Sequence, residues 1–374
     1  MALVLLVGVG LLLKSFWRLW NTPTGFNPQG ALALDISLPE AKYPDGERRA
    51  RFLHQVFQKI EALPGVEAAS MVTSIPMAGL SMGSAVRDER RPDQSEFRYV
   101  VNQDFIAGNY FRAMGIPVIK GRAFTERDNS TNAPRTAVLN DALVKKLFPN
   151  DDPVGNRIRF WGQVWEVVGV VGSVRHDGLS GQLKERIYLP QAFWRGSGTL
   201  VVRTRGKPLM FAEAIRREIL ALDSDQPVSN VRTLGQVVAR SVGGRRLALT
   251  LLGVFASVAL GMAAIGLYGV MAFSVSQRTH EIGIRMALGA RRRDVLKLVI
   301  TQGMGLTLLG LAIGLGGSFA LTRVIANQLY QVKPTDPLTF LCVTAALLLV
   351  ALAACWLPAR RATKVDPMEA LRYE

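Results

Sequence analysis

Long uncharged runs and amphipathic stretches divide this chain. Residues 247–277, 298–322 and 338–357 carry no charged side chain. Each reaches or exceeds the roughly 20 residues an α-helix needs to cross a bilayer. Residues 1–13 form a fourth apolar run, followed by Lys14, Phe16, Trp17, Arg18 and Trp20. The aromatics suit a membrane interface, but the run is too short to cross unaided. It has neither the basic start nor the small-residue cleavage site of a signal peptide. It therefore reads as a first span entered partway.

Between residues 21 and 240 the periodicity becomes that of a soluble unit. Residues 31–38 alternate as a half-buried strand does. Residues 45–63 have helical spacing, with Phe52, Leu53, Val56, Phe57 and Ile60 on one face and Pro64-Gly65 as a stop. Strands are expected at 68–75, 97–101, 116–119, 136–139 and 199–204, and a hairpin at 157–161 and 164–171 turning at Gly162. Helices are expected at 104–114, 141–148 and 209–222, and a helical stalk at 234–246. The Gly-, Ser- and charge-rich residues 77–94 read as a loop. Strands and helices mix without regular βαβ alternation, which predicts an α+β unit of two lobes.

Charge adds an orientation. The formal net charge is +16. Residues 278–297, between the second and third spans, hold six basic side chains against Glu281 and Asp294. A loop that basic is normally kept on the cytoplasmic face. It also contains Ile282, Ile284, Met286 and Leu288, so a short apolar and basic helix capped by Thr279 and stopped at Gly289 fits it. An ordinary positive-inside loop has the same composition. Lys14, Arg18, Arg245 and Arg246 then fall near the outer face, against the trend. Residues 21–240 carry an excess of only about six basic side chains, spread thinly. That is no nucleic-acid stripe.

The search for chemistry excludes more than it finds. The only cysteines, Cys342 and Cys355, lie in the last span, so the soluble part has neither a disulfide framework nor a zinc spacing. Gly79-Leu80-Ser81-Met82-Gly83 matches the nucleophile-elbow pattern, but charged residues follow where that elbow needs an apolar-faced helix. Gly8–Ser15 misses a phosphate loop at Leu13, and His280-Glu281 lacks the second histidine of a zinc-protease helix. No span has an Asp, Glu, Lys, Arg or His at its centre, as ion-coupled transporters usually do. No catalytic or metal-ligating residue emerges, and the work has to come from elsewhere. Gly253, Ser257 and Gly261 in the second span, and Gly310, Gly314 and Ser318 in the third, recur every four residues. Such stripes let helices approach closely, although glycine is also simply common in spans.

Glu281, Ile282, Gly283, Arg285, Ala287, Gly289 and Ala290 reproduce an EIGIRxALGA motif. It resembles the cytoplasmic loop of FtsX-like, MacB-type ABC-transporter permeases. Residues 357–374 resemble the tail of that family, and the middle of the chain its extracytoplasmic core. The nearest likeness is to one half of a duplicated orphan permease. The resemblance implies an α-helical membrane protein of four spans with a large inserted α+β extracytoplasmic domain, in a bacterial cytoplasmic membrane. It divides the chain into a first span (1–20), a MacB-like core (21–240), stalk and second span (241–277), a cytoplasmic coupling loop (278–297), a third span (298–326), an external loop (327–337), a fourth span (338–357) and a cytoplasmic tail (358–374). Arg291, Arg292, Arg293, Arg360 and Arg361 would anchor the inner membrane face. The implied partners are a cytoplasmic ABC ATPase, a second permease half (identical or paralogous), an extracytoplasmic partner and lipid. ATP and Mg would be bound by the ATPase and no cofactor by this chain. The resemblance implies export driven by that ATPase; a non-transporting regulator of an outer partner is the alternative.

Overall fold

The computed structural model describes residues 1–78, 82–90, 99–130, 133–194, 196–278, 281–282, 284–285, 288, 291–324 and 329–362. These form two compact units, residues 22–243 and residues 1–21 with 244–374. In chain order the elements begin with α1 (Ala2–Trp20), β1 (Ala31–Ile36), α2 (Gly46–Glu61), β2 (Val66–Val72), β3 (Met82–Asp88), β4 (Tyr99–Gly108) and α3 (Tyr110–Met114). Next come β5 (Val118–Gly121), β6 (Thr136–Asn140), α4 (Asp141–Leu147), β7 (Arg157–Phe160), β8 (Gln163–Val171) and β9 (Arg186–Pro190). Then follow β10 (Gly198–Thr204), α5 (Ala212–Leu222), β11 (Val228–Thr233) and α6 (Leu234–Ser241). Three long helices follow among the described residues: α7 (Gly243–Gln277), α8 (Arg292–Val324) and α9 (Pro337–Ala362).

Unit 22–243 is an α+β body with two cores. In its first lobe the strands run β11-β1-β10-β2, every neighbour antiparallel. With α2 joining β1 to β2 and α5 joining β10 to β11, this is a split βαβ arrangement. Asp45 caps α2 by accepting from the Arg48 amide at 2.6 Å. Helix α2 is rich in charged side chains and only 16 residues long, close to the length at which an isolated helix is marginal. Its stability therefore comes from Phe52, Leu53, Val56, Phe57 and Ile60, buried against Leu32, Leu34, Ile215 and Ile219. Each contributes on the order of 2 kcal/mol.

The second lobe is inserted between β2 and β10. Its strands follow the path β4-β3-β7-β8-β6-β9, and β9 pairs back onto β4, closing a ring of six. Closure gives each of these six strands a partner on both sides, with β5 pairing onto β8 off the ring, and the interior is filled by Phe105, Leu139, Ile158, Phe160, Trp165 and Ile187. The hairpin from β7 to β8 turns on Trp161 and Gly162, both at positive φ (52° and 70°), as a two-residue primed turn requires. Strand β4 belongs to both lobes, pairing with β2 through Ile106–Gly108 and with β3 through Tyr99–Gln103.

Four expectations fail here. Residues 77–94 are not one loop, because β3 lies within them, paired on both sides. Residues 104–108 are strand rather than helix. Phe105-Ile106-Ala107 is a short apolar run whose periodicity fits either state, and sheet pairing decides it; only Tyr110–Met114 is helical. Strands β9 and β11 were not anticipated, the first opening on a buried arginine and the second a largely exposed edge. The stalk is not continuous: α6, held by a Thr233/Gln236 capping box, ends at Ser241, and α7 starts afresh at Gly243-Gly244.

In the other unit, α1, α7, α8 and α9 are all long and apolar enough to cross a membrane. Helix α1 runs through Lys14 to Trp20, so its 19 residues reach about 28 Å rather than stopping at Leu13. The cations in its last turns are matched. Lys14 Nζ lies 2.7 Å from Asp336, and Arg18 donates to the Gln331 carbonyl. Asp336 also caps α9, accepting from the Thr339 amide at 3.1 Å with Pro337 in first position. Lys14, then Thr339, hold the Asp336 carboxyl down at about 2. Pro358 does not end the last helix: α9 continues to Ala362, with Ala359 fully buried.

Candidate functional site

The elbow between α7 and α8 is built on a junction of three helices. Gly303 of α8 is the point of closest approach: a Cβ there would lie 2.4 Å from Cys355 Sγ of α9 and 3.2 Å from Met271 Sδ of α7. Around it Met271, Val299, Cys355 and Ala359 form a buried cluster flanked by Leu267, Val275, Leu296 and Ile300. Val275 also belongs to a second small cluster, with Ile282 and Val295. Ile282 is only 5% exposed. One residue of the elbow is thus seated in apolar side chains continuous with all three helices.

Gly303→Ala is expected to destabilise this junction by about 1–3 kcal/mol through overpacking. Adding Cys355→Ala should recover most of the loss by freeing the space. The check is the midpoint of heat unfolding of the membrane-reconstituted chain; no rescue by the second substitution would refute the packing account.

The polar side of the elbow faces outward. Arg285 Nη2 and Glu281 Oε1 form an (i, i+4) ion pair at 2.6 Å, each side chain about half exposed (49% and 47%). The Ile282 amide donates to the Arg278 carbonyl at 2.9 Å and the Leu288 amide to the Ile284 carbonyl at 3.0 Å, both helical spacings. Leu288 is 83% exposed. Helix α8 starts with Asp294 accepting from the Arg291 amide at 3.0 Å, its carboxylate in the first turn where the helix dipole favours a negative charge. At the end of α9, Arg360 lies over the Trp356 ring and Arg361 donates to the Tyr268 hydroxyl of α7 at 2.7 Å. Arg361 therefore ties α9 to α7, while Arg360 packs along its own helix.

The predicted residues divide clearly. Glu281, Ile282 and Arg285 are brought together on one helical turn. Gly283, Ala287, Gly289 and Ala290 lie outside the described residues, as do Thr279, Gly79–Ser81 of the serine pattern and residues 363–374 of the tail. Met82-Gly83 open a strand, where a nucleophile elbow needs a helix. Arg291 and Arg293 are exposed at the start of α8; of Arg292 only the backbone is described. In α8, Gly314 lies against Leu3 of α1 and Ser318 is buried, bonding to the Gly314 carbonyl at 2.8 Å. At Gly253, Gly261 and Gly310, no described atom comes within 4 Å of where a Cβ would sit, and Ser257 bonds back to Gly253. Among the described residues no cluster of three or more His, Cys, Asp or Glu could hold a metal ion. Reading the sequence missed Gly303, Met271, Cys355 and Val295. The signal was weak: Gly303 stands four residues after Val299 on a helix apolar nearly all round.

The family described as MacB-like periplasmic core domain matches residues 25–219, and the FtsX-like permease C-terminal family matches residues 253–367. The uncharacterized ABC transporter permease YknZ of Bacillus subtilis is 26% identical over 89% of this chain and 82% of its own length. The macrolide export ATP-binding/permease protein MacB of Marinobacter nauticus is 28% identical over 85% of this chain. The pyoverdine export ATP-binding/permease protein PvdT of Pseudomonas syringae pv. syringae is 31% identical over 73%. The chain spans about half or less of these last two, 48% and 43%. With the first family covering more than half of the 374 residues and the second most of the rest, this chain belongs to the MacB-like, FtsX-like family of ABC transporter permeases, membrane proteins with a large extracytoplasmic domain.

Proposed function

We propose that this chain is the permease subunit of an ABC transporter, converting ATP hydrolysis by a cytoplasmic ABC ATPase into movement of its extracytoplasmic domain. The observation that carries the reading is the seat of Ile282. A push on the elbow is delivered to Val275, Val295 and, through them, to α7, α8 and α9 at once. Close packing of the kind at Gly303, against Cys355 and Met271, transmits displacement rather than absorbing it. Helix α7, 35 residues and about 52 Å long, outreaches the roughly 30 Å hydrocarbon core and extends towards residue 243, where the outer domain ends.

In this reading Glu281 and Arg285 make the polar contacts with the ATPase, and Gly283 and Gly289 let the backbones approach. ATP and Mg are bound by that subunit. The open glycine face of α7, at Gly253 and Gly261, is where a second permease half packs, since small residues let helices meet closely. Export of a compound from the cell envelope is the transport consistent with the relatives' names.

The test is co-purification with candidate ATPases, comparing the wild-type chain with Glu281→Lys plus Gly283→Trp. Recovery of the ATPase should fall at least tenfold; equal recovery would remove the elbow from the coupling. If recovery falls but reconstituted vesicles move no substrate even with the wild-type pair, the same elbow serves a regulator rather than an exporter.

A further inference from the structure

Six cations on the outer rim of the membrane unit take no part in the coupling. Residues 1–21, 244–277 and 298–357 hold Lys14, Arg18, Arg245, Arg246, Arg323 and Lys333 against one acidic residue, Asp336. All six flank the extracytoplasmic ends of the four spans. Cations beside spans normally gather on the cytoplasmic side, so an excess here needs a counter-charge.

The chain supplies little of it. Asp336 serves Lys14 at 2.7 Å, and Arg18 donates to the Gln331 carbonyl, which is neutral. Arg245, Arg246, Arg323 and Lys333 are exposed, and their side chains meet no hydrogen-bond or ion-pair partner among the described residues.

Helix contacts bring these side chains to one height. Gly303 of α8 adjoins Met271 of α7 and Cys355 of α9, and Gly314 of α8 adjoins Leu3 of α1. At about 1.5 Å per residue, Arg323 stands about 30 Å above the Gly303 contact, Lys14 about 33 Å, Arg246 about 37 Å, and Arg245 and Arg18 about 39 Å. Lys297 and Arg360 lie within about 9 Å on its inner side. A hydrocarbon layer about 30 Å thick therefore ends close to Arg323, and the cations above it fall among the headgroups. Trp17 and Trp20, 67% and 51% exposed, share that height, as interface tryptophans do.

Helix α7 gains most from the contact. Its buried clusters lie towards the inner end, at Leu267, Met271 and Val275, whereas Leu247, Leu251, Val254 and Phe255 are each more than half exposed. A guanidinium grips phosphate through two parallel hydrogen bonds, so a phosphate on Arg245 and Arg246 fixes the height of the outer end.

We infer that this rim binds the phosphates of anionic phospholipids in the extracytoplasmic leaflet, chiefly at Arg245 and Arg246, and that those headgroups hold the outer end of α7. An acidic soluble partner would have to enter the headgroup layer to reach the same side chains. The inference does not rest on the coupling mechanism, and its test needs no ATPase.

The reporter is Leu247→Trp, beside Arg246, combined with Trp17→Phe, Trp20→Phe and Trp356→Phe; the remaining tryptophans, Trp161, Trp165 and Trp194, belong to the outer domain. The full chain is reconstituted in vesicles, and quenching by dibrominated phosphatidylglycerol is compared with quenching by dibrominated phosphatidylcholine. One cation near an anionic surface is worth about fivefold, so the reporter should prefer phosphatidylglycerol by at least about fivefold. Arg245→Gln plus Arg246→Gln should bring the preference close to one. Arg245→Lys plus Arg246→Lys should keep most of it, and Arg291→Gln plus Arg293→Gln on the inner rim should leave it unchanged. No preference in the reporter chain, a preference that survives the glutamine pair, or one lost with the lysine pair or the inner pair would overturn the assignment. Loss of the preference when inorganic phosphate replaces chloride at equal ionic strength would assign the rim to free phosphate and overturn it too.

Discussion

Replacing Arg186 with leucine is expected to destabilise the outer domain by about 3–5 kcal/mol at neutral pH, the usual consequence of leaving a buried charge without its partner. Arg186 Nη1 and Asp104 Oδ2 meet at 2.5 Å with both side chains essentially inaccessible (2% and 1%). They sit on β9 and β4, the pair of strands that closes the ring. Burial outweighs the guanidinium even in the wild type and pushes the Asp104 carboxyl up to about 6. A carboxyl raised in the folded state binds its proton more tightly folded than unfolded, so its ionisation penalty disappears as pH falls through the folded value towards about 4. The Arg186→Leu deficit should therefore shrink markedly from pH 7 to pH 5. His176 nearby works the other way: burial first and Arg186 second hold its imidazole well below the ordinary value, which costs stability as pH falls below about 6.5. Asp104→Leu combined with Arg186→Met isolates the carboxyl and should return stability to within about 1–2 kcal/mol of the wild type. Hydrogen-exchange protection of the β4 and β9 amides, corrected for the intrinsic rate at each pH, reports all three. A single substitution as harmless as the double would show that the pair is not the closure's support.

The second large effect is on coupling. Ile282→Asp puts a carboxylate into the seat formed with Val275 and Val295, which holds no cation among its members. The burial penalty, on the order of 3 kcal/mol, exceeds what one isoleucine contributes by packing, so the elbow should leave its seat. At 1.4 kcal/mol per decade that shifts the seated population about a hundredfold. Stimulation of a cognate ATPase by the nanodisc-embedded permease should drop below a tenth of the wild-type level. Ile282→Val, which removes one methylene at about 1 kcal/mol, should keep most of it. Full stimulation from Ile282→Asp would mean that force does not pass through this residue.

Much of the architecture could be read in advance because its causes are local. An uncharged run longer than a bilayer has one good fate, and so has the face made by Phe52, Leu53, Val56, Phe57 and Ile60. The Gly162 hairpin needed only its turn residues. The failures within the sheet share one cause as well. Residues 104–108, β3, β9 and β11 owe their state to partners 13 to 201 positions away, and no local period marks them. The candidate site divides the same way. Glu281 and Arg285 are an (i, i+4) pair visible in the chain, whereas Gly303, Met271 and Cys355 meet only when three separate helices do.

From its residues alone this protein had to be a membrane chain with three full spans, an apolar start and an α+β insertion, since transfer free energy and periodicity act over a few neighbouring positions. Tertiary structure alone decided that the inserted strands close into a ring, that Lys14 finds Asp336, and that Ile282 is seated between Val275 of α7 and Val295 of α8. Those outcomes depend on which distant groups share space, and charge, size and hydrogen-bonding capacity at one position cannot say what will lie opposite.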